Sequence, residues 1–369
     1  MANSAAPVVP KRSFGHTGVN VAKLCLGGGS FGSGDAGALL TEALRLGVDC
    51  WEIVSFTGDV YRTYFTNNPG AREKVFLSGK VYATDPAVMQ EQLDKTLADN
   101  GTSYIDFLAI HQIPDIKVLN NEVRKWVEKV KKEKKIRFFG FCTHKNMAAC
   151  LAGASSLGWI DGIQTAYNYR LQNIEGMQEA LEKCQEQGIG LFAVKSMGLS
   201  VRKIGGGRAL PSKAKLDAAP TSHDMTFEQA KLRAIWGHPS ITSVCSLMPN
   251  TNILQANAAA ALDDKPLAPE ISNLLQDYAA ETGNYYCRRC GVCDTTNPDK
   301  IPISGIMEML MYARRYGLAE MVSRMFAQIP AEIQGKMESS DYSGAEKVCP
   351  QNMPLTQLMK EASRELRKD

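Results

Sequence analysis

From residue 20 to about residue 262 the chain repeats one pattern eight times: a short apolar run, in most cases followed by a longer amphipathic one. The apolar runs are AKLCLGG, VDCWEIV, VFLSGK, IDFLAIH, IRFFGFC, GIQTAY, GLFAVK and ITSVCSLM. Between them lie helical patterns such as AGALLTEALRLG, AVMQEQLDKTLADNG, NNEVRKWVEKVKKEKK and IEGMQEALEKCQEQG. Strands apolar on both faces must be covered on both sides, and parallel neighbours need a crossover, which a helix supplies. Eight such units close on themselves, so the expected fold is α/β, a (β/α)8 barrel. The preceding SFGHTGVNV reads as a hairpin placed to plug the bottom of that barrel.

After residue 265 the pattern changes. A helical stretch, KPLAPEISNLLQDYAAETGNYYCRRC, leads into a cysteine run, and two apolar helical segments follow, SGIMEMLMYARRYG and LAEMVSRMFAQIP. The expectation is two domains, a barrel over 1–265 and a mostly α-helical domain over 266–369.

The cysteine run is Cys287-x-x-Cys290-x-x-Cys293-x-x-x-Asn297-Pro298. A bacterial ferredoxin run has cysteine before that proline. Counting back from a second Cys-Pro pair, Cys349-Pro350, places Ser339, Tyr342 and Ala345 where three cysteines would stand. The first run thus keeps its first three cysteines and lacks the fourth, and the second does the reverse. In two-cluster ferredoxins the fourth cysteine of each run ligates the other run's cluster. Cys287, Cys290, Cys293 and Cys349 therefore form the full set for one 4Fe-4S cluster, and Asn297, Ser339, Tyr342 and Ala345 mark a lost one. Two alternatives stand beside this: a three-cysteine cluster with an open iron, and a zinc site on the same four thiolates. The other six cysteines, Cys25, Cys50, Cys142, Cys150, Cys184 and Cys245, sit among apolar residues and read as small core side chains.

Composition narrows the function classes. A net charge of +3 gives no electrostatic case for nucleic acid. No apolar run reaches the roughly 18 residues needed to span a bilayer. MANSAAPVVPKRSFGHTG has no apolar stretch after its basic pair, which argues against an export signal and for a cytoplasmic protein. The basic KVKKEKKIR run reads as the solvated end of a barrel helix, and the GGG at 27–29 as a strand-end turn.

Barrel enzymes carry their chemistry at the C-terminal ends of the strands. Those ends hold Glu52, Lys80, His111, His144, Asn168 and Lys195, each an ionisable or polar side chain at the end of an apolar run. Together they point to a polar site in a mostly apolar cavity that takes a small-molecule substrate.

With these motifs in view the chain resembles the aldo-keto reductase superfamily, in particular its bacterial branch with a C-terminal ferredoxin-like 4Fe-4S domain. RSFGHTGVNVAKLCLGGGSFG is similar to the family's opening hairpin and first strand. VFLSGK, YIDFLAIH, RFFGFCTH, GIQTAYNY and GLFAVKSMG resemble its third to seventh strands in order, and the cysteine segments match the appended domain. The resemblance implies a catalytic Lys at Lys80 and a His at His111, with the family's Asp falling at Glu52. The family's Tyr, the proton donor to the carbonyl, falls at Thr57, whose hydroxyl is too weak an acid for that role. Tyr61 and Tyr64 are out of register. The catalytic set implied is therefore Glu52, Lys80, His111 and His144, lacking the tyrosine.

The resemblance also implies an NADP(H) site along strands six to eight. Gln164 and Asn168 are in place, Lys195 and Gly198 lie near the nicotinamide and pyrophosphate edge, and Asn257 stands where the family contacts adenine. The glycine usual after the eighth strand is replaced in CSLMP, and no arginine stands ready for a 2′-phosphate. The function expected is an iron-sulfur oxidoreductase. Electrons would come through the cluster, from a ferredoxin or another donor, or from NADPH. A non-redox lyase or isomerase using Glu52, Lys80 and His111, and an inactive electron-transfer subunit, are the alternatives.

Overall fold

A computed structural model of the chain describes residues 7–28, 31, 35–54, 57, 59–198, 203–204, 208–209, 211–212, 214–215, 225–315 and 319–367. The last glycine of the GGG turn lies outside the described residues. Two compact units are formed, one of Met1–Gly198 with Asp217–Ser272, the other of Leu199–Leu216 with Asn273–Asp369.

The first unit is the closed parallel barrel. Its strands are β3 (Leu24–Leu26), β4 (Cys50–Glu52), β5 (Phe76–Val81), β6 (Ile105–Ile110), β7 (Ile136–Thr143), β8 (Gly162–Ala166), β9 (Gly190–Val194) and β12 (Ile241–Ser246), which closes on β3. β1 (Lys11–Ser13) and β2 (Asn20–Ala22) form an antiparallel hairpin ahead of them. β10 (Lys203–Ile204) and β11 (Arg208–Ala209) form a second small ribbon.

Every residue of β3, β4, β5, β6, β8, β9 and β12 is buried. That follows from their near-continuous apolar sequence: one face packs into the barrel and the other under the helices. Five of the barrel helices start at residues whose side chains accept the first free amides. Asp35 caps α1 (Ala36–Arg45), Asp85 caps α3 (Pro86–Asp99) with proline at its first position, and Asn120 caps α4 (Asn121–Lys132). Thr226 and Gln229 form a reciprocal capping box at α7 (Phe227–Trp236), and Asn250 caps α8 (Thr251–Leu262).

The floor of the barrel is aromatic. Phe14, from the β1–β2 hairpin, meets Phe76, Phe107, Phe138 and Phe192 edge-on, with ring centroids 5.3–5.6 Å apart. Gly162 and Gly190 make room for it: a Cβ on either would fall 2.3 and 2.0 Å from Phe14 ring atoms. The barrel is thereby filled at one end by hydrocarbon, and polar groups collect at the other.

The second unit packs its helices, among them α10 (Ile303–Arg315) and α14 (Leu355–Glu365), around Ile306, Met307, Leu310, Met359 and their neighbours. Tyr342 and Ala345, at two of the positions that the sequence reading assigned to a lost ligand set, are part of that core. The Tyr342 hydroxyl donates to the Met337 carbonyl at 2.8 Å. Asn297, another of the set, bonds Ser340 Oγ through its amide nitrogen and accepts from the Asp299 and Ile301 amides. These positions serve side-chain packing and a turn.

Candidate active site

β4 and β5 are in register with Glu52 opposite Ser78, so Lys80 stands one inward-facing step further along. Lys80 Nζ lies 2.7 Å from Glu52 Oε1, and the two side chains are 7% and 8% exposed. The carboxylate is held from several sides. Gly28 donates its amide to Oε2 at 3.3 Å, Gln164 Nε2 donates to Oε1 at 3.2 Å, and the Cys245 thiol reaches Oε2 at 3.5 Å. Burial alone would raise the Glu52 pKa, but the Lys80 charge and these donors outweigh it, and the net shift is downward. Burial would likewise lower Lys80, and the Glu52 charge reverses that, so its pKa rises. Both groups are ionised at neutral pH. Gln164 Nε2 also bonds Ser78 Oγ at 3.2 Å, while its carbonyl Oε1 is buried with no hydrogen-bond partner.

Thr57, where the resemblance puts the family's tyrosine, accepts from the Val54 amide at 3.0 Å and donates to the Gly28 carbonyl at 3.3 Å. Its hydroxyl ties Val54 to Gly28. The neighbouring phenols are committed too: Tyr61 donates to the Glu52 carbonyl at 3.1 Å, and Tyr64 pairs with Thr41 Oγ1 at 3.2 Å. Among the described residues, no phenol is bonded to Lys80.

His111 follows β6 directly and packs edge-on against Tyr82, centroids 4.9 Å apart. Its ring lies 6.0 Å from that of His144, which follows β7. His144 is buried and held at both nitrogens: Gln112 Nε2 stands 3.0 Å from Nδ1, and Cys142 Sγ stands 3.3 Å from Nε2. Sequence reasoning assigned Cys142 to the core and passed over Gln112 and Tyr82. The register is what singles out Cys142: it lies opposite Gln164, which bonds Glu52.

The residues expected to hold a nucleotide are spread along the next strands. Asn168 donates to the Lys195 carbonyl at 3.0 Å and accepts from the Arg170 amide at 2.9 Å. Lys195 and Gly198 both take left-handed backbone conformations, φ 57° and 54°. A Cβ on Gly198 would meet the Tyr169 ring at 2.9 Å, so this turn requires glycine. Asn257 is buried on α8, its amide 3.3 Å from Ser246 Oγ.

In the second unit Cys287, Cys290, Cys293 and Cys349 line one cavity, with Gly291, Met307 and Pro350. Burial lifts the Cys287 and Cys293 thiols to about 12, and the other cysteines around the cavity add to both. The loop carries left-handed residues at Arg289 and Gly291, and the Arg289 amide points at Cys287 Sγ at 3.4 Å. Arg289 also pairs with buried Glu308 at 2.8 Å. Among the described residues no three His, Cys, Asp or Glu side chains gather tightly enough to hold one metal ion. A cubane gives each thiolate to a different iron, so the geometry it asks for is convergence on a common cavity.

A family model for the aldo/keto reductase family matches residues 23–264. The chain belongs to the aldo/keto reductase family. This aldo/keto reductase is thus an oxidoreductase, its barrel that of the family. Its fold is similar to that of the aldo-keto reductase AKR11C1 from Bacillus halodurans. The holo form is 20% identical with TM-score 0.60, and the apo form 20% with TM-score 0.56, each match covering 73% of this chain and 95% of the other. The Pseudomonas aeruginosa protein PA4992 is 18% identical with TM-score 0.54, over 71% of this chain and 98% of its own. No curated protein matches.

Proposed function

We propose that this protein reduces a small organic carbonyl compound at the barrel mouth, in the cytoplasm, with NADPH as hydride source, and that a 4Fe-4S cluster in its C-terminal domain serves it as a one-electron carrier. The domains would be the barrel, 1–265, and a ferredoxin-like domain, 266–369. The observation that carries the first part is the buried Glu52–Lys80 pair at the ends of adjacent strands, 2.7 Å apart. A fixed ammonium in a low-dielectric site stabilises negative charge developing on a carbonyl oxygen far better than it does in water. Glu52 keeps Lys80 charged and aimed. His111 and His144 follow β6 and β7 at the same end, His111 placed to orient the substrate and His144 engaged with Gln112 and Cys142.

The chain offers groups that suit both cofactors. The unpartnered Gln164 Oε1 fits the amide hydrogens of a nicotinamide carboxamide. Lys195 and Gly198, with Asn168 behind them, suit the pyrophosphate edge. Asn257 serves the adenine end only when its bond with Ser246 opens. Convergence of Cys287, Cys290, Cys293 and Cys349 on one cavity supports the cluster. NADPH supplies a hydride and the cluster single electrons; a ferredoxin or a similar donor is the proposed redox partner.

The test is a titration of the anaerobic protein with NADPH, followed by nicotinamide fluorescence, then assays with simple aldehydes and quinones. Saturable binding that weakens in Gln164→Leu, with NADPH oxidation lost in Lys80→Met, is the expected result. Absence of both binding and NADPH oxidation in the wild type overturns the proposal.

A further inference from the structure

The reaction proposed above needs a proton for the carbonyl oxygen, and the residue that usually gives it is absent. Thr57, Tyr61 and Tyr64 are each committed to backbone or to Thr41. The replacement must be an acid near neutral-to-basic pKa, protonated at rest, close to Lys80, and tied to a group that steadies the anion it leaves.

We infer that Cys142 is this acid, its thiol giving the proton and His144 and Lys80 holding the thiolate that remains. The inference rests on the proposed carbonyl reduction. Its geometry is a line of three side chains. Gln112 Nε2, a donor, stands 3.0 Å from His144 Nδ1, so that nitrogen accepts. The neutral imidazole then carries its proton on Nε2, which lies 3.3 Å from Cys142 Sγ. The sulfur therefore accepts from His144 and keeps its own S–H free. Cys142 is opposite Gln164 in the β7–β8 register, and Gln164 bonds Glu52, Lys80's partner.

The charged groups acting on this thiol are Lys80, Glu52 and Lys195, with the Gln112 amide. Burial raises the thiol pKa most, Lys80 opposes it, and Glu52 adds to it. A raised thiol is protonated at neutral pH, as a resting acid must be. In the step, hydride from the reduced nicotinamide forms the new C–H bond and the carbonyl π pair moves to oxygen. The S–H bond breaks and an O–H bond forms. The nicotinamide is oxidised and the carbonyl carbon reduced. The charge stays on sulfur, between the Lys80 ammonium and the His144 N–H, until a proton returns from water as product leaves.

The test uses the full chain with its iron, prepared anaerobically. Cys142→Ser keeps the size and the acceptor for His144 but is a far weaker acid. Its NADPH-dependent turnover should fall by roughly 10²–10⁴-fold while NADPH affinity is unchanged. A second readout needs no turnover: methyl methanethiosulfonate labelling of Cys142 against pH, read by peptide mass. His144→Leu removes the thiolate's donor, so labelling at a given pH should slow by about tenfold, a shift of one pH unit. Turnover retained in Cys142→Ser, or lost only in Tyr82→Phe, overturns the assignment and leaves carbonyl reduction standing. Labelling that is indifferent to His144→Leu also overturns it. A wild type that neither binds nor oxidises NADPH removes the carbonyl reduction, and this acid with it.

Discussion

Lys80 Nζ and Glu52 Oε1 stand 2.7 Å apart with almost no solvent around either. Removing one partner of a buried pair leaves the other charged and unpaired, which costs about 3–5 kcal/mol. Glu52→Ala should lose stability on that scale in denaturant titrations. The Glu52 pKa is depressed, so its contribution is present above the unfolded carboxylate pKa and fades as pH falls through the folded value. Wild-type stability should therefore drop on acidification below about pH 4 more steeply than that of Glu52→Gln.

Thr57→Tyr should not create a conventional reductase. The Thr57 hydroxyl satisfies the Val54 amide and the Gly28 carbonyl, and a phenol there leaves both without their partner. The cost of two lost bonds is about 2–4 kcal/mol, and NADPH-dependent aldehyde reduction should fall. A large gain in aldehyde reduction by a folded, iron-loaded Thr57→Tyr variant would show that the pocket had kept room for the phenol.

Cys349→Ala should lose the proposed cluster as badly as Cys290→Ala, because the four cysteines line one cavity. Iron analysis and visible absorption of the anaerobic protein check this, with about four irons per wild-type chain expected. Unchanged iron in Cys349→Ala would favour the three-cysteine cluster.

Tyr342→Phe should cost about 1–3 kcal/mol, the price of leaving the buried Met337 carbonyl unpaired. Tyr342→Ala should cost about 3–5 kcal/mol through the cavity it opens. If thermal melts of both variants match the wild type, the ring is not the packing element described.

The barrel was legible because parallel strands declare themselves: IDFLAI and GLFAV are apolar at every position, and both faces are buried. The strand-end candidates Glu52 and Lys80 were legible for the same reason, as charges closing apolar runs. Cys142 was not. A cysteine in IRFFGFC is indistinguishable from a core residue until the register sets it opposite Gln164 and the turn brings His144 back to it. Gln112 was hidden by its left-handed backbone, φ 55°, which no residue-type preference announces. The grouping of Leu199–Leu216 with the later helices lay beyond reach too, because it joins segments far apart in sequence.

Phe14 precedes every barrel strand in the chain, yet the space it fills is shaped by Gly162, Gly190 and Phe192. Loop closure of that length must precede the contact, so the ring can seat only after most of the barrel has been synthesised. The hairpin is therefore a late latch. Until it closes, an aromatic-lined opening faces water from a half-made barrel, and a nascent chain stalled before β9 is the species a chaperone or a protease would meet.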